Sequence, residues 1–177
     1  ARWRNGRGMW LACVCMLLAS TARAQPTPET ARFRSLTDAE GLSQLSALAV
    51  AQDRDGFLWI GTQVGLNRYD GYNFKIFKHD PEHPESLSGV YIYSLFKDRA
   101  GTIWVGTDQF LDRFDPLTEK FNHYHFDVPD SSGLTTTVNH ISQDSSGMLW
   151  LSTRRGLFRL DPVTGKTKHF SHDPGDP

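Results

Sequence analysis

Apolar residues in this chain come in short runs, mostly four to six long, and each run is closed by a cluster of Gly, Pro, Asp or Asn. Some runs alternate with polar residues and some are apolar throughout. None sustains a helical stripe, so the pattern predicts strands and tight turns. Around the first tryptophan-bearing run, strands are expected at 48–51, 57–62, 66–69 and 74–77.

The same pattern then returns twice. Asp53-Arg-Asp-Gly-Phe-Leu-Trp-Ile-Gly-Thr62 recurs as Asp98-Arg-Ala-Gly-Thr-Ile-Trp-Val-Gly-Thr107 and as Asp144-Ser-Ser-Gly-Met-Leu-Trp-Leu-Ser-Thr153. Each copy continues alike, with Gly65-Leu-Asn-Arg-Tyr-Asp70, Phe110-Leu-Asp-Arg-Phe-Asp115 and Gly156-Leu-Phe-Arg-Leu-Asp161. In the Asp-x-x-Gly phrase, Asp can accept a bond from the backbone two residues on, and Gly supplies a positive φ. That is hairpin-turn chemistry. Asp70-Gly-Tyr-Asn73, Asp115-Pro-Leu-Thr-Glu119 and Asp161-Pro-Val-Thr-Gly165 read as the turn before the fourth strand.

Four short strands per roughly 45 residues is the pattern of a β-propeller blade. The expected fold is therefore all-β, a propeller fragment of about three four-stranded antiparallel blades in an incomplete ring. The blade repeats are assigned to 46–89, 90–137 and 138–177, after a lead-in at 25–45. A blade has neighbours on both faces, which explains strands that are apolar throughout. Trp59, Trp104 and Trp150 are read as inter-blade packing, with an aromatic sugar platform as the alternative. Three blades fall short of a closed ring. The chain is thus expected to be a piece of a longer protein, with Arg32-Phe-Arg-Ser-Leu36 supplying a strand of another blade.

The run from Asp53 to Thr62, two further residues, and then Gly65 to Asp70 closely resemble the two-component regulator propeller repeat. The resemblance covers about residues 33–177. It implies a periplasmic sensor region of a sensor histidine kinase, frequently hybrid, followed by a transmembrane helix and a cytoplasmic output. It also implies a small-molecule or saccharide ligand, further blades from the same chain, a homodimeric full-length protein, and membrane contact only through a downstream segment. An exported propeller enzyme acting on polysaccharide, a secreted protein-binding scaffold and a sensor with a diguanylate cyclase output remain as alternatives. Two positions depart from the pattern. Phe110 stands where the other copies have Gly65 and Gly156, which puts the local turn in doubt because a bulky residue suits positive φ poorly. Ser152 replaces the second Gly of the tryptophan strand.

The first 24 residues follow a different logic. Arg2, Arg4 and Arg7 precede an apolar run from Trp10 to Ala19, and Ala22-Arg23-Ala24 offers a small-x-small cleavage site. This is the layout of a secretory signal peptide at 1–24, its apolar run shorter than the roughly 20 residues a bilayer span needs. An uncleaved anchor is the alternative. Cleavage removes four Arg and no acid, leaving 15 basic and 20 acidic residues, a net charge of −5. Cys13 and Cys15 would go with it, so neither disulfides nor cysteine metal sites are expected in the mature chain. No basic excess points to nucleic acid.

Candidate chemistry is sparse. His123 and His125 are expected on one face of a strand, and His79 and His83 flank a proline-rich turn. No compact set of three or four metal ligands accompanies them. The Asp53-Arg-Asp-Gly phrase lacks the further oxygens of a calcium loop. No nucleophile elbow, zinc-protease helix or phosphate loop is present, so no catalytic, cofactor-binding or metal residue and no cofactor is assigned. The ligand-binding residues are unknown. The longer connections, 79–90 and 126–137, are the expected recognition surface.

Overall fold

The computed structural model describes residues 35–126 and 136–170. The signal peptide, most of the strand expected at 32–36, and the tail from 171 lie outside the described residues. Of the lead-in, residues 35–45 are described and hold a short 3-10 turn, Asp38–Glu40, capped by Thr37.

Twelve strands follow. The first sheet is β1 (Ala47–Gln52), β2 (Leu58–Thr62), β3 (Gly65–Tyr69) and β4 (Phe74–Phe77). The second is β5 (Ile92–Lys97), β6 (Ile103–Thr107), β7 (Leu111–Asp115) and β8 (Lys120–Tyr124). The third is β9 (Val138–Gln143), β10 (Leu149–Thr153), β11 (Gly156–Leu160) and β12 (Thr167–Phe170). Each is a four-stranded antiparallel meander in sequence order. The four strands read from the first copy match the observed ones to within a residue or two.

The turns form for the expected reason. Asp53 Oδ1 accepts the Asp55 and Phe57 N–H groups at 3.0 and 2.9 Å, and Gly56 has φ of 91°. Gly101 and Gly147 repeat it at 85° and 91°.

The sheets stack through two apolar seams. Trp59, Leu66 and Phe77 of the first sheet pack on Ile92, Ile103, Val105, Phe114 and Phe121 of the second. Trp104 and Leu111 of the second pack on Val138, Ile141, Leu149, Leu151, Phe158 and Leu160 of the third. The innermost strands β1, β5 and β9 run beside one another in succession. Glycine makes that approach possible. A Cβ on Gly61 would lie 2.6 Å from Ile92 Cγ2, and one on Gly106 would lie 2.5 Å from the Val138 carbonyl. Ser152, the departure in the third copy, is exposed. Three radially arranged, face-packed meanders are blades of a β-propeller, and they do not close a ring. Among the described residues no helix is long and apolar enough to cross a membrane.

Candidate functional site

Each blade carries one polar device that the strand pattern does not reveal. The aspartate that nucleates the first hairpin also accepts the indole N–H of the tryptophan six residues on. Asp53–Trp59, Asp98–Trp104 and Asp144–Trp150 measure 2.7, 2.9 and 2.8 Å. A buried indole N–H needs a partner, and this one is supplied from within the repeat. Trp59 and Trp104 are each 1% exposed. Trp59 meets Phe77 of its own blade at 5.7 Å and Phe114 of the next at 4.7 Å. Trp150 sits on the outer face of the third blade, partly exposed against Phe170. The aspartate oxygens are thus committed to turn and seam.

A second device closes the β2–β3 type of hairpin. Thr62 Oγ1 donates to the Gly65 carbonyl at 2.9 Å, and Thr153 Oγ1 to that of Gly156 at 2.9 Å. Gly65 and Gly156 take φ of 115° and 103°. Phe110 does not adopt a positive φ. Its carbonyl still accepts the Thr107 hydroxyl, and its N–H donates to Thr107 Oγ1 at 3.0 Å. The β6–β7 ladder has three pairs where the other blades have five, and β7 starts a residue later at Leu111. The turn survives by a local rearrangement, and the Phe110 ring packs on His125 at 4.1 Å.

The first two blades differ where the chain approaches the inner strand. In the first blade, Asn67 Oδ1 accepts the Ser43 N–H at 2.9 Å. In the second, Asp112 Oδ2 accepts that of Ser88 at 2.8 Å. Asp112 is fully buried, and its other oxygen meets His123 Nδ1 at 2.6 Å. His123 Nε2 faces the Pro84 carbonyl at 2.7 Å. The Asp112 hydrogen bond and charge raise the His123 pKa above its ordinary value, against some opposition from burial.

The histidines fall into two places. His79, His83 and His123 line one cavity of about 180 Å³ beneath the 79–88 connection, together with Leu87 and Phe110. His79 Nδ1 meets the Leu87 carbonyl at 2.6 Å, and His83 Nδ1 meets Asp80 at 2.8 Å. His125 lies just past the end of β8, against Phe110. Among the described residues no group of three or more His, Cys, Asp or Glu is placed to hold a metal ion. Of the two candidate recognition loops, 79–90 is described in full, and 127–135 of the other lies outside the described residues.

One feature of the inner strands carried no sequence signal. Every one of them has a β-bulge at the same place, so that Leu48, Tyr93 and Asn139 are skipped in the pairing with the next strand. Bulges re-aim side chains and gather near functional sites. Tyr93 stacks on Tyr91 at 6.2 Å, and Tyr91 is 42% exposed although its blade has neighbours on both sides. Asp108 fixes that approach by accepting the Val90 and Tyr91 N–H groups at 3.0 and 3.2 Å.

Fold and seams define a β-propeller repeat protein. The model of the two component regulator propeller family matches residues 41–63 and 86–109, within the first two repeats. The chain is similar to the extracellular domains of two hybrid two component systems of B. thetaiotaomicron. The first is 31% identical with a TM-score of 0.70, over 78% of this chain and 20% of the other. The second is 28% identical with a TM-score of 0.62, over 70% of this chain and 16% of the other. Histidine kinase P4 of Formosa agariphila is 40% identical over 81 residues, which is 46% of this chain and 6% of that kinase. The chain therefore spans a fifth or less of the length of each of these three relatives.

Proposed function

We propose that this chain is the ligand-sensing, extracytoplasmic input region of a membrane-bound two-component sensor whose output is a histidine kinase. The observation that carries the reading is its similarity to the extracellular domains of hybrid two component systems at 31% identity over 78% of its length. Two further features support it. A charged start, a short apolar run and a small-residue cleavage site head the chain. The blades also repeat Trp59, Trp104 and Trp150 and Leu66, Leu111 and Leu157 unchanged, while the bulge residues Leu48, Tyr93 and Asn139 differ from blade to blade, which suits a fixed scaffold presenting variable contacts. A ligand with different affinity for two states of the propeller would shift the output across the membrane.

Two measurements test this. Alkaline phosphatase fused after residue 177 in the native context is active if the propeller lies outside the cytoplasm, and inactivity would refute the location. The full-length protein in membrane vesicles is expected to autophosphorylate from labelled ATP on an acid-labile phosphohistidine. Cyclic dinucleotide synthesis, or no phosphoryl transfer from a folded preparation, would remove the kinase output.

A further inference from the structure

The connection from the first blade to the second is held by a side chain that can do so fully in only one protonation state. His123 has an acceptor at each ring nitrogen, the Asp112 carboxylate at 2.6 Å and the Pro84 carbonyl at 2.7 Å. A neutral imidazole carries one N–H and one lone pair, so it satisfies one of these contacts and turns a lone pair on the other. Only the imidazolium donates to both. Asp112, fully buried and already accepting the Ser88 N–H, is the costlier of the two to leave unpaired. On deprotonation the remaining proton therefore stays on Nδ1, and the contact with Pro84 is lost.

The first blade shows that the fold does not require this arrangement. At the paired positions it has Asn67 and Ile76, and the Asn67 amide holds Ser43 without charge. The third blade has Phe158 and His169 there, stacked at 4.3 Å. The titratable pair is peculiar to the blade whose lead-in connection is lined by histidines.

We infer that His123, Asp112 and the Pro84 carbonyl form a pH-sensitive clasp that fastens residues 79–88 to the second blade and opens at Pro84 as His123 loses its proton. Because the folded-state pKa is raised above 6.5, the clasp is complete below that value and is lost as pH rises through the folded value. The other charged and titratable groups around it act differently. Glu85 pairs with Lys120 at 2.7 Å, and Asp80 with His83. The carboxyls of Glu85 and Asp80 are both held below their ordinary values by those contacts. His79 and His83 bond only within the connection, and His125 packs on Phe110. The clasp stands on this chain's geometry. Only its use as an input to signalling rests on the sensor reading.

Hydrogen exchange on the full 177-residue chain tests it. The reporters are the Ser88 N–H on Asp112 and the Phe121 N–H on the Glu85 carbonyl at 2.9 Å. After correction for intrinsic exchange, protection at Phe121 should fall about tenfold between about pH 5.5 and 8.5, as expected for losing a bond to a charged donor. Asp112→Asn with His123→Ile, which rebuilds the first blade's pair, should flatten that response, and His79→Asn with His83→Asn should preserve it. A flat wild-type profile, a fall that survives the rebuilt pair, or a fall abolished by the His79 and His83 changes would overturn the proposal. Nitrogen NMR of the unmodified chain gives a reading that no variant's folding can obscure. His123 should keep both ring N–H groups above pH 6.5, and titration at or below its ordinary value would refute the clasp.

Discussion

The seam between the first and second blades and the seam between the second and third share one interior and have unlike rims. Trp59 and Trp104 occupy corresponding slots, with Gly61 and Gly106 admitting the neighbouring inner strand in each case. At the rim of the first seam, Glu119 of the second blade reaches back to Arg68 at 2.9 Å and to Lys75. At the second seam Gly165 stands in that place, and hydrogen bonds to carbonyl and amide oxygens tie the blades, the Arg99 guanidinium donating to the Ser145 carbonyl at 3.2 Å. Ser94 donates to the Val138 carbonyl at 3.0 Å, and the Arg99 N–H to Gln143 at 3.0 Å. Apolar stacking tolerates little change because the interior is close-packed. The rim is solvated and free to differ, so individual function is to be sought there.

The deepest test of the shared interior is to empty one slot. Trp104→Ala should cost about 3–5 kcal/mol, read as a lower urea midpoint. Trp150→Ala should cost well under that, because its ring is already partly exposed. Equal losses at the two positions would break the claim that burial between blades, rather than the strand itself, sets the tryptophan's worth. Removing the acceptor alone is the next step down. Asp98→Ala strands the Trp104 indole N–H and the Thr102 N–H, and should destabilise by about 1–3 kcal/mol. Trp104→Phe in the Asp98→Ala background should then cost less than in the wild type, since the orphaned donor leaves with the indole.

The repeat was legible because it is written three times. Strand positions, Asp-x-x-Gly turns and the tryptophan seam all follow from aligned copies. The Asp–Trp bond is signalled only by its constant six-residue spacing. What stayed hidden is whatever occurs once. Asp112, His123 and Pro84 lie 11 and 39 residues apart and join only through the meander, with no counterpart among the other described residues. The bulges leave no trace in composition, because the extra residue differs in each blade. Phe110 was legible as a misfit, and the hairpin absorbs it with a shortened ladder.

Glu119 sharpens the contrast between rims. It is the one non-glycine residue with positive φ among those described, at 56°, where the third blade uses Gly165 at 72°. A left-handed non-glycine residue costs on the order of 1 kcal/mol, and its exposed ion pairs return about 0–1 kcal/mol, less in salt. Glu119→Gly should therefore shift stability by under about 1 kcal/mol at low salt and become stabilising in concentrated NaCl. Glu119→Gln keeps the strain and loses the charge, so it should destabilise at low salt and approach neutral in high salt. A salt-independent loss in both variants would mean that the rim is held by packing instead.

The smallest effect separates the outermost tryptophan turn from its buried counterparts. The Ser146 hydroxyl at 2.6 Å and the Trp150 indole at 2.8 Å, followed by the Met148 and Ser146 N–H groups, hold the Asp144 carboxyl down at about 2. Its folded-state pKa lies below the unfolded value of 3.8, so its contribution is fully present above 3.8 and fades as pH falls toward about 2. Ser146 is peculiar to the third copy, where the other turns have Asp55 and Ala100. Ser146→Ala should therefore raise the Asp144 pKa and move this part of acid unfolding to higher pH. Carboxylate NMR titration reads the first change, and tryptophan fluorescence across the acid limb reads the second. If Asp144 titrates unchanged in Ser146→Ala, the Trp150 indole and the backbone alone set its acidity, and all three turns are electrostatically alike.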